Sequence, residues 1–318
     1  MNPVLESIKL VIKKSRHVKI NQENLKQTCS KLNSQDVKYS MEKSPFDLSI
    51  LNPQERLNFI FIFNSINFCY WGEPKWTVKY QGKQYDGAWG IIACLLKAID
   101  KEIPILNAEY LATLTREELQ KILESNVTIP LFNDRLRILK ENGEILTRKY
   151  NGRFSCVIKR ANNDAINLLD ILTTDFPSFN DFAFYDGQKV LFHKRAQLAI
   201  ADVYRSFKGR GYGNLKNVDK LTAFADYKLP QILRKLGILK YSRELAYKID
   251  NKIQIPAGSK EEIEIRANTI YAVELMKKEL KTKIPNITSI DIDSYLWLLG
   301  QKKSPTDKPY HRTLTIFY

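Results

Sequence analysis

The stretch SKEEIEIRANTIYAVELMKKEL, Ser259–Leu280, decides the fold class. Ser259 stands where a helix N-cap belongs, and Glu262, three residues on, completes a capping-box pattern. Ile263, Ala267, Ile270, Val273 and Met276 then recur at helical spacing and form one buried stripe. The same grammar extends outward from it. Leu221–Tyr227 reads as a short helix that yields before Pro230, since the residue preceding a proline disfavours α geometry, and Pro230 opens a helix ending near Gly237. Arg195–Phe207 is helical, with Leu198, Ala201 and Val203 inward. Further upstream lie helices over Leu131–Glu141, stopped by Asn142-Gly143, over Thr115–Ser125 and over Gly90–Ile99. The first core helix is capped by Asn52, with Pro53 at its first position and Glu55 three residues after the cap. It runs to about Phe68 with Leu57, Ile60, Phe61 and Phe68 on its apolar stripe.

Strand signals are few. Val78 and Tyr80 alternate with polar residues before Gln81-Gly82 and Tyr85, and Asp186-Gly187 separates Phe182–Tyr185 from Val190–Phe192; both read as hairpins. The expected fold is therefore mainly α, a compact multi-helix body with small β-hairpins. Residues 1–45 are polar and Lys-rich, with a modest helical pattern near Asn24–Leu32, and core-like sequence begins at Leu48. With no repeat, low-complexity linker or composition break, 1–318 reads as a single globular unit whose main body is 46–318.

Composition bounds the function. Hydrophobic residues are 44% and charged residues 27% of the chain, which is globular rather than disordered. Fifty Lys and Arg against 35 Asp and Glu give +15, a balance that favours anionic partners, although the basic residues are spread rather than clustered. Cys29, Cys69, Cys94 and Cys156 show no CxxC spacing, and His17, His193 and His311 are the only histidines, so neither a disulfide scaffold nor a metal site is expected. The N-terminus lacks the apolar core of a secretory signal, and Leu57–Gly72 is too short and too interrupted by Asn58, Asn64 and Asn67 to span a bilayer. The expectation is a soluble, cytoplasmic protein with no membrane contact. Its oligomeric state is not legible.

Generic catalytic motifs are missing: there is no P-loop, HExxH or GxSxG, and three histidines leave little room for a Ser/His/Asp triad. Chemistry here would run on carboxylates. Asp226, in Leu221-Thr222-Ala223-Phe224-Ala225-Asp226-Tyr227, falls where one helix yields to the next. It is either a cap on the following helix or a carboxylate kept ionised by the helix dipole, able to stabilise or attack an oxocarbenium-like transition state. Lys194-Arg195-Ala196-Gln197 opens a helix straight after a strand; the two cations are solvated first-turn charges or a phosphate site near helix-terminal amides. Asn64 and Asn67 share a face of an apolar helix, as core amides or ligand contacts. Asp291 and Asp293 are helix caps or ligand carboxylates, and Trp297 is core or a stacking surface. His311 in Tyr310-His311-Arg312 reads as structural.

Six runs taken in order carry a resemblance. Asn67-Phe68-Cys69-Tyr70-Trp71, Tyr85-Asp86-Gly87-Ala88-Trp89, Lys194-Arg195-Ala196-Gln197, Phe224-Ala225-Asp226-Tyr227-Lys228-Leu229-Pro230-Gln231, Glu264-Ile265-Arg266 and Tyr310-His311-Arg312 resemble the queuosine salvage proteins, from about Leu48 to Tyr318. The resemblance implies a mostly helical fold similar to that of DNA glycosylases. It implies hydrolysis of the N-glycosidic bond of queuosine 5′-phosphate, releasing queuine for reuse in tRNA modification, without a cofactor and without a stable nucleic-acid partner. It puts the catalytic aspartate at Asp226, an aromatic residue packing on the base at Phe224, and the residues holding queuine at Asp293 and Trp297. Lys194 and Arg195 suit the 5′-phosphate by charge. A cationic amine on the base's cyclopentenediol arm would meet Asp293. Two positions depart from the family's pattern. A pocket histidine at a substrate-binding position is Ser49 here. An acidic stretch after the tryptophan is replaced by Leu298, Leu299, Gly300, Lys302 and Lys303. The readings set against this one are a basic, glycosylase-like protein acting on a base within tRNA or DNA, and a nucleotide-binding relative without activity.

Overall fold

The computed structural model of the chain describes residues 2–37, 44–302 and 304–318; Lys303 lies outside them. The chain begins with α1 (Pro3–Ser7), α2 (Lys9–Lys14), β1 (Val18–Ile20), α3 (Gln22–Lys31) and α4 (Ser34–Val37). Then come α5 (Pro53–Ser65), the hairpin β2 (Thr77–Tyr80) and β3 (Lys83–Asp86), and α6 (Gly87–Asp100). A helical run follows: α7 (Ala108–Thr113), α8 (Arg116–Ile122), α9 (Phe132–Tyr150), α10 (Phe154–Arg160) and α11 (Ala165–Asp175). The hairpin β4 (Phe182–Tyr185) and β5 (Gln188–Leu191) leads into α12 (Lys194–Ser206). The chain closes with α13 (Lys228–Lys235), β6 (Leu239–Tyr241), α14 (Arg243–Asp250), α15 (Lys260–Leu280) and α16 (Ser289–Leu299). Every sheet is a two-stranded antiparallel pair.

Both hairpins stand where turn chemistry puts them. At the second, Asp186 and Gly187 have φ of 49° and 80°, as a tight primed turn demands. The capping box of α5 is present, but that helix ends at Ser65, so Asn67 sits in the loop beyond it rather than on one face with Asn64. Helix α15 is capped by Ser259, whose hydroxyl accepts the Glu262 N–H; the Glu262 carboxylate reaches back to the Gly258 N–H instead of closing the box on Ser259.

Three expectations are corrected. Helix α9 continues through Asn142-Gly143 to Tyr150, because Gly143 lets α7 lie against it: a Cβ there would stand 2.5 Å from the Ala112 nitrogen and 2.6 Å from the Ala108 oxygen. Residues 221–227 are not helical, and α13 starts at Lys228, with Pro230 in its first turn, where no N–H is required. Side chains serve the backbone of that segment instead: Gln197 accepts from the Thr222 N–H, Asp293 accepts from the Phe224 N–H, and Arg266 donates to the Ala225 carbonyl. The core also begins well before Leu48. Val4, Ile8 and Val11, then Leu25, Cys29 and Leu32, are buried at i, i+4, i+7 spacing among lysines that mask the pattern.

The N-terminal elements are built into the C-terminal half. β1 pairs with β6 in the register Val18↔Tyr241 to Ile20↔Leu239, and Glu264 accepts the backbone N–H groups of Arg16, His17 and Val18. Buried side chains fall into three clusters: a large one around α5–α12, one joining α3 to α13–α16, and a smaller one of α1, α2, the second hairpin and α15. The 221–226 segment lies where they meet. Leu221 and Phe224 pack into the first, Ala223 into the second and Ala225 into the third. Among the described residues no helix is long and apolar enough to cross a membrane.

Candidate active site

Beside that junction is a cavity of about 360 Å³, walled by Phe59, Phe68, Tyr70, Trp89, Phe224, Tyr227, Trp297 and Tyr310, with charged groups set among them. Asp226 sits on its wall, buried to 9% exposure. Its Oδ1 accepts the N–H of Lys228 at 2.7 Å and of Leu229 at 3.0 Å, capping α13; Oδ2 accepts no hydrogen bond among the described residues. The capping reading of Asp226 is thus borne out on one oxygen, and the cap leaves the residue on the cavity wall. The first turn of α13 gives the carboxylate its orientation and a favourable dipole.

Asp293 and Trp297 are one turn apart on the same face of α16, and both line the cavity. Thr288 and Asp291 form the capping box of that helix, so Asp293 is not a cap. Its Oδ2 accepts the Phe224 N–H at 2.7 Å. Burial pushes the Asp293 carboxyl up to about 7, against the pull of that hydrogen bond and of Arg205; the neighbouring Asp226 charge adds to the rise. Trp297 meets Trp89 edge-to-face at 5.4 Å, and Tyr227 packs on Tyr310 at 4.7 Å with the Lys228 ammonium 5.0 Å from the Tyr310 ring. These rings make the cavity suited to a planar ligand.

Lys194 and Arg195 part company. Lys194 lines the cavity, and burial pushes its ammonium down, with Asp226 the strongest of the charges holding it up. Arg195 lies behind the wall, donating to the carbonyls of Asn64 (3.2 Å), Ser65 and Ser178, with its guanidinium about 5 Å from the rings of Phe68 and Phe179. It braces α5 against α12, with both terminal nitrogens turned to backbone carbonyls rather than to the cavity. The Lys194 amide at the head of α12 is also taken, by Asp181 at 3.1 Å. Ser49 is exposed, bonds to Asp47, and does not line the cavity. Lys302 is likewise exposed.

Behind the site lies an ion pair with no local sequence signal. Arg266 holds Asp181 through both nitrogens at 2.9 and 2.6 Å and donates through Nε to the Ala225 carbonyl at 3.1 Å. Asp181 accepts the Lys194 amide with the same oxygen it offers Arg266 Nη2. The pair thus links the backbone next to Asp226 to the backbone of Lys194. His311 is buried and pushed down to about 3 by desolvation, with Nε2 3.3 Å from the Tyr318 hydroxyl, a structural setting.

Other cavity residues escaped the sequence reading. Tyr70, Trp89 and Tyr310 lie inside runs already singled out, but nothing marked them as ligand-facing. Asp202 and Arg205 had a usable signal: with Lys194 and Leu198 they recur at i, i+4, i+8 and i+11, a partly polar stripe down α12 facing the cavity. Among the described residues no group of three or more His, Cys, Asp or Glu is placed to hold a metal ion.

A mainly helical body around an aromatic cavity with carboxylates and a lysine on its walls defines a protein that takes a planar small molecule and can act on it with carboxylate chemistry. Comparison with known sequences makes this specific. Residues 49–318 match the model of the queuosine salvage protein family, and the chain belongs to that family. It is 44% identical over 261 residues to a Sphaerobacter thermophilus protein named queuosine 5′-phosphate N-glycosylase/hydrolase, covering 82% of this chain and 81% of that one. Proteins of the same name from Mus musculus (35% identical, 98% of both chains) and Schizosaccharomyces pombe (29% identical, 95% of this chain and 92% of that one) are similar along nearly the whole length.

Proposed function

We propose that this chain hydrolyses the N-glycosidic bond of queuosine 5′-phosphate and releases queuine for reuse in tRNA modification. The observation that carries the reading is Asp226, a carboxylate with one oxygen fixed by two amides and the other accepting no hydrogen bond among the described residues, at an aromatic cavity. Family membership supports it. So does the chemistry of the base. Queuine is a 7-deazapurine, so the ring nitrogen whose protonation eases the departure of a purine is absent, and the barrier must be lowered on the sugar side.

Asp226 Oδ2 supplies that help as the anion facing C1′, in a water-poor setting where such a charge acts strongly. Over the reaction the C1′–N electron pair leaves with the base and a water oxygen joins C1′. The water's proton ends on the base nitrogen, leaving ribose 5-phosphate. Phe224 and Trp297 pack on the base and Asp293 accepts from its donors. Lys194, on the cavity wall, is a cation suited to the phosphate end, and neither Arg195 nor Ser49 has a part in binding. Hydrolysis of this kind calls for no cofactor. On this reading a helical fold like that of DNA glycosylases serves a mononucleotide, the chain works on the cytosolic pool, and the described N-terminal residues 2–37 brace a single unit whose cavity is lined from Ser44 onward.

Asp226→Asn tests the assignment cleanly, because an amide oxygen still accepts the Lys228 and Leu229 N–H groups and keeps the cap. Queuine release from queuosine 5′-phosphate is expected to fall by about 10²–10³-fold or more, the typical loss of a preorganised partner of transition-state charge, with an unchanged melting profile. Release at the parental rate would remove Asp226 from the chemistry.

A further inference from the structure

Asp86, Asp202, Asp226 and Asp293 all line the cavity. Asp86 is half-exposed and paired with Lys75, and the proposed reaction uses Asp226 at the sugar and Asp293 at the base. Asp202 has no assigned role. It lies two helical turns beyond Lys194 on the same face of α12, about 12 Å along the axis. Its neighbours separate it from the sugar end. Asp293 accepts the Phe224 amide, two residues from Asp226, whereas Asp202 accepts from Asn64 on α5. Asp293 is thus tied to the Asp226 segment, and Asp202 stands on the α5 side of the cavity.

Asp202 is also incompletely matched. Its Oδ2 accepts the Asn64 Nδ2–H at 2.9 Å, and its Oδ1 makes only a long ion pair with Arg205 Nη1, at 4.0 Å and without a hydrogen bond. Arg205 spends donors on the Ile290 carbonyl at 2.7 Å and on the Ser294 hydroxyl. The Asp202 side chain keeps 26% of its surface exposed where it borders the cavity, while burial raises its carboxyl above the usual range. A carboxylate in that state gains most from a cation delivered to its open oxygen.

The proposed ligand carries two kinds of donor. The pyrimidine edge of its deazaguanine ring presents a ring N–H and an amino group. Its side arm, one methylene beyond the ring, presents a cationic amine. We infer that Asp202 is the specificity-determining carboxylate that receives the amine, and that Asp293, nearer the sugar end, accepts from the ring edge. This rests on the reading of the cavity as a queuosine 5′-phosphate site, and it moves the amine from Asp293, where sequence reasoning had put it.

Binding of free bases separates the two ideas. Wild type and Asp202→Asn are titrated calorimetrically with 7-aminomethyl-7-deazaguanine, which keeps the cationic amine, and with neutral 7-deazaguanine. Wild type is expected to prefer the cationic base by about 10–100-fold, the range for a hydrogen bond to a charged group. Asp202→Asn should collapse that preference to within about threefold, whereas Asp293→Asn should weaken both bases and leave the ratio standing. A preference that survives in Asp202→Asn, or that disappears in Asp293→Asn instead, overturns the proposal. Asp202→Glu, which restores the charge on a longer arm, should recover part of the ratio; if it behaves like Asp202→Asn with an intact fold, the amine is not read by charge at this position. Failure of wild type to release base from queuosine 5′-phosphate sinks the proposed function, and the base-binding ratio still judges Asp202.

Discussion

Asp226 caps a helix and lines the cavity, so the cap does not take it away from the site. Oδ1 caps α13 while the residue lines the cavity, so under the proposed function the cap is what would aim the other oxygen at the sugar. The same economy appears at Asp293, which fixes the Phe224 amide while lining the cavity. Its carboxyl has been raised from 3.8 to about 7, chiefly by burial, and this has a consequence for stability. Between about pH 4 and pH 7 the folded chain keeps a proton at Asp293 that the unfolded chain has released, so stability falls as pH rises through that window. Asp202, also raised by burial, contributes in the same direction. His311, pushed down to about 3 by burial, works in the opposite sense over the same window, so the Asp293 contribution is read by comparison: in urea denaturation of the unliganded proteins at about pH 5 and about pH 7.5, the parent should lose more stability, or gain less, than Asp293→Asn. An unchanged slope would mean that Asp293 is ionised in the folded protein across the range. Charge alone could not have told Lys194 from Arg195. Adjacent helical residues point about 100° apart, and which of them meets the cavity depends on how α12 docks on α5.

Helices with paired caps and regular stripes were readable: α5, α15 and both hairpins stand close to where turn residues, caps and spacing put them. What misled was local chemistry overruled by a neighbour. The Asn142-Gly143 pair has the look of a helix stop, yet α9 runs through it because α7 needs a glycine to pack against. Gly143→Ala separates the two influences. In an isolated helix alanine is better than glycine by about 1 kcal/mol; here the added methyl meets backbone atoms of α7 at 2.5–2.6 Å. Overpacking should win, and the variant is expected to be less stable by about 1–3 kcal/mol in denaturant titration. A stabilised variant would show that the two helices part at little cost. The 221–227 segment was misread for a related reason. Its amides and carbonyls are served by Gln197, Asp293 and Arg266, all distant in sequence, so its irregular course has no local mark.

At the scale of the molecule, the site exists because three packed clusters meet at one irregular segment. Leu221 and Phe224, Ala223, and Ala225 each anchor to a different cluster, and the Arg266–Asp181 pair ties that segment to the head of α12. This convergence was beyond sequence reasoning, although the ordered motifs that build it were visible as a family resemblance. The cavity of about 360 Å³ is ringed by aromatic side chains and suits a single nucleotide, while the basic residues are dispersed along the chain rather than gathered into one stripe. Substrate form is therefore the sharpest test. Purified protein is incubated separately with queuosine 5′-phosphate, with unphosphorylated queuosine and with queuosine-containing tRNA, and free queuine is followed by chromatography. Release from the monophosphate, weaker release from the nucleoside and none from intact tRNA is the predicted result; release from intact tRNA alone would contradict the account.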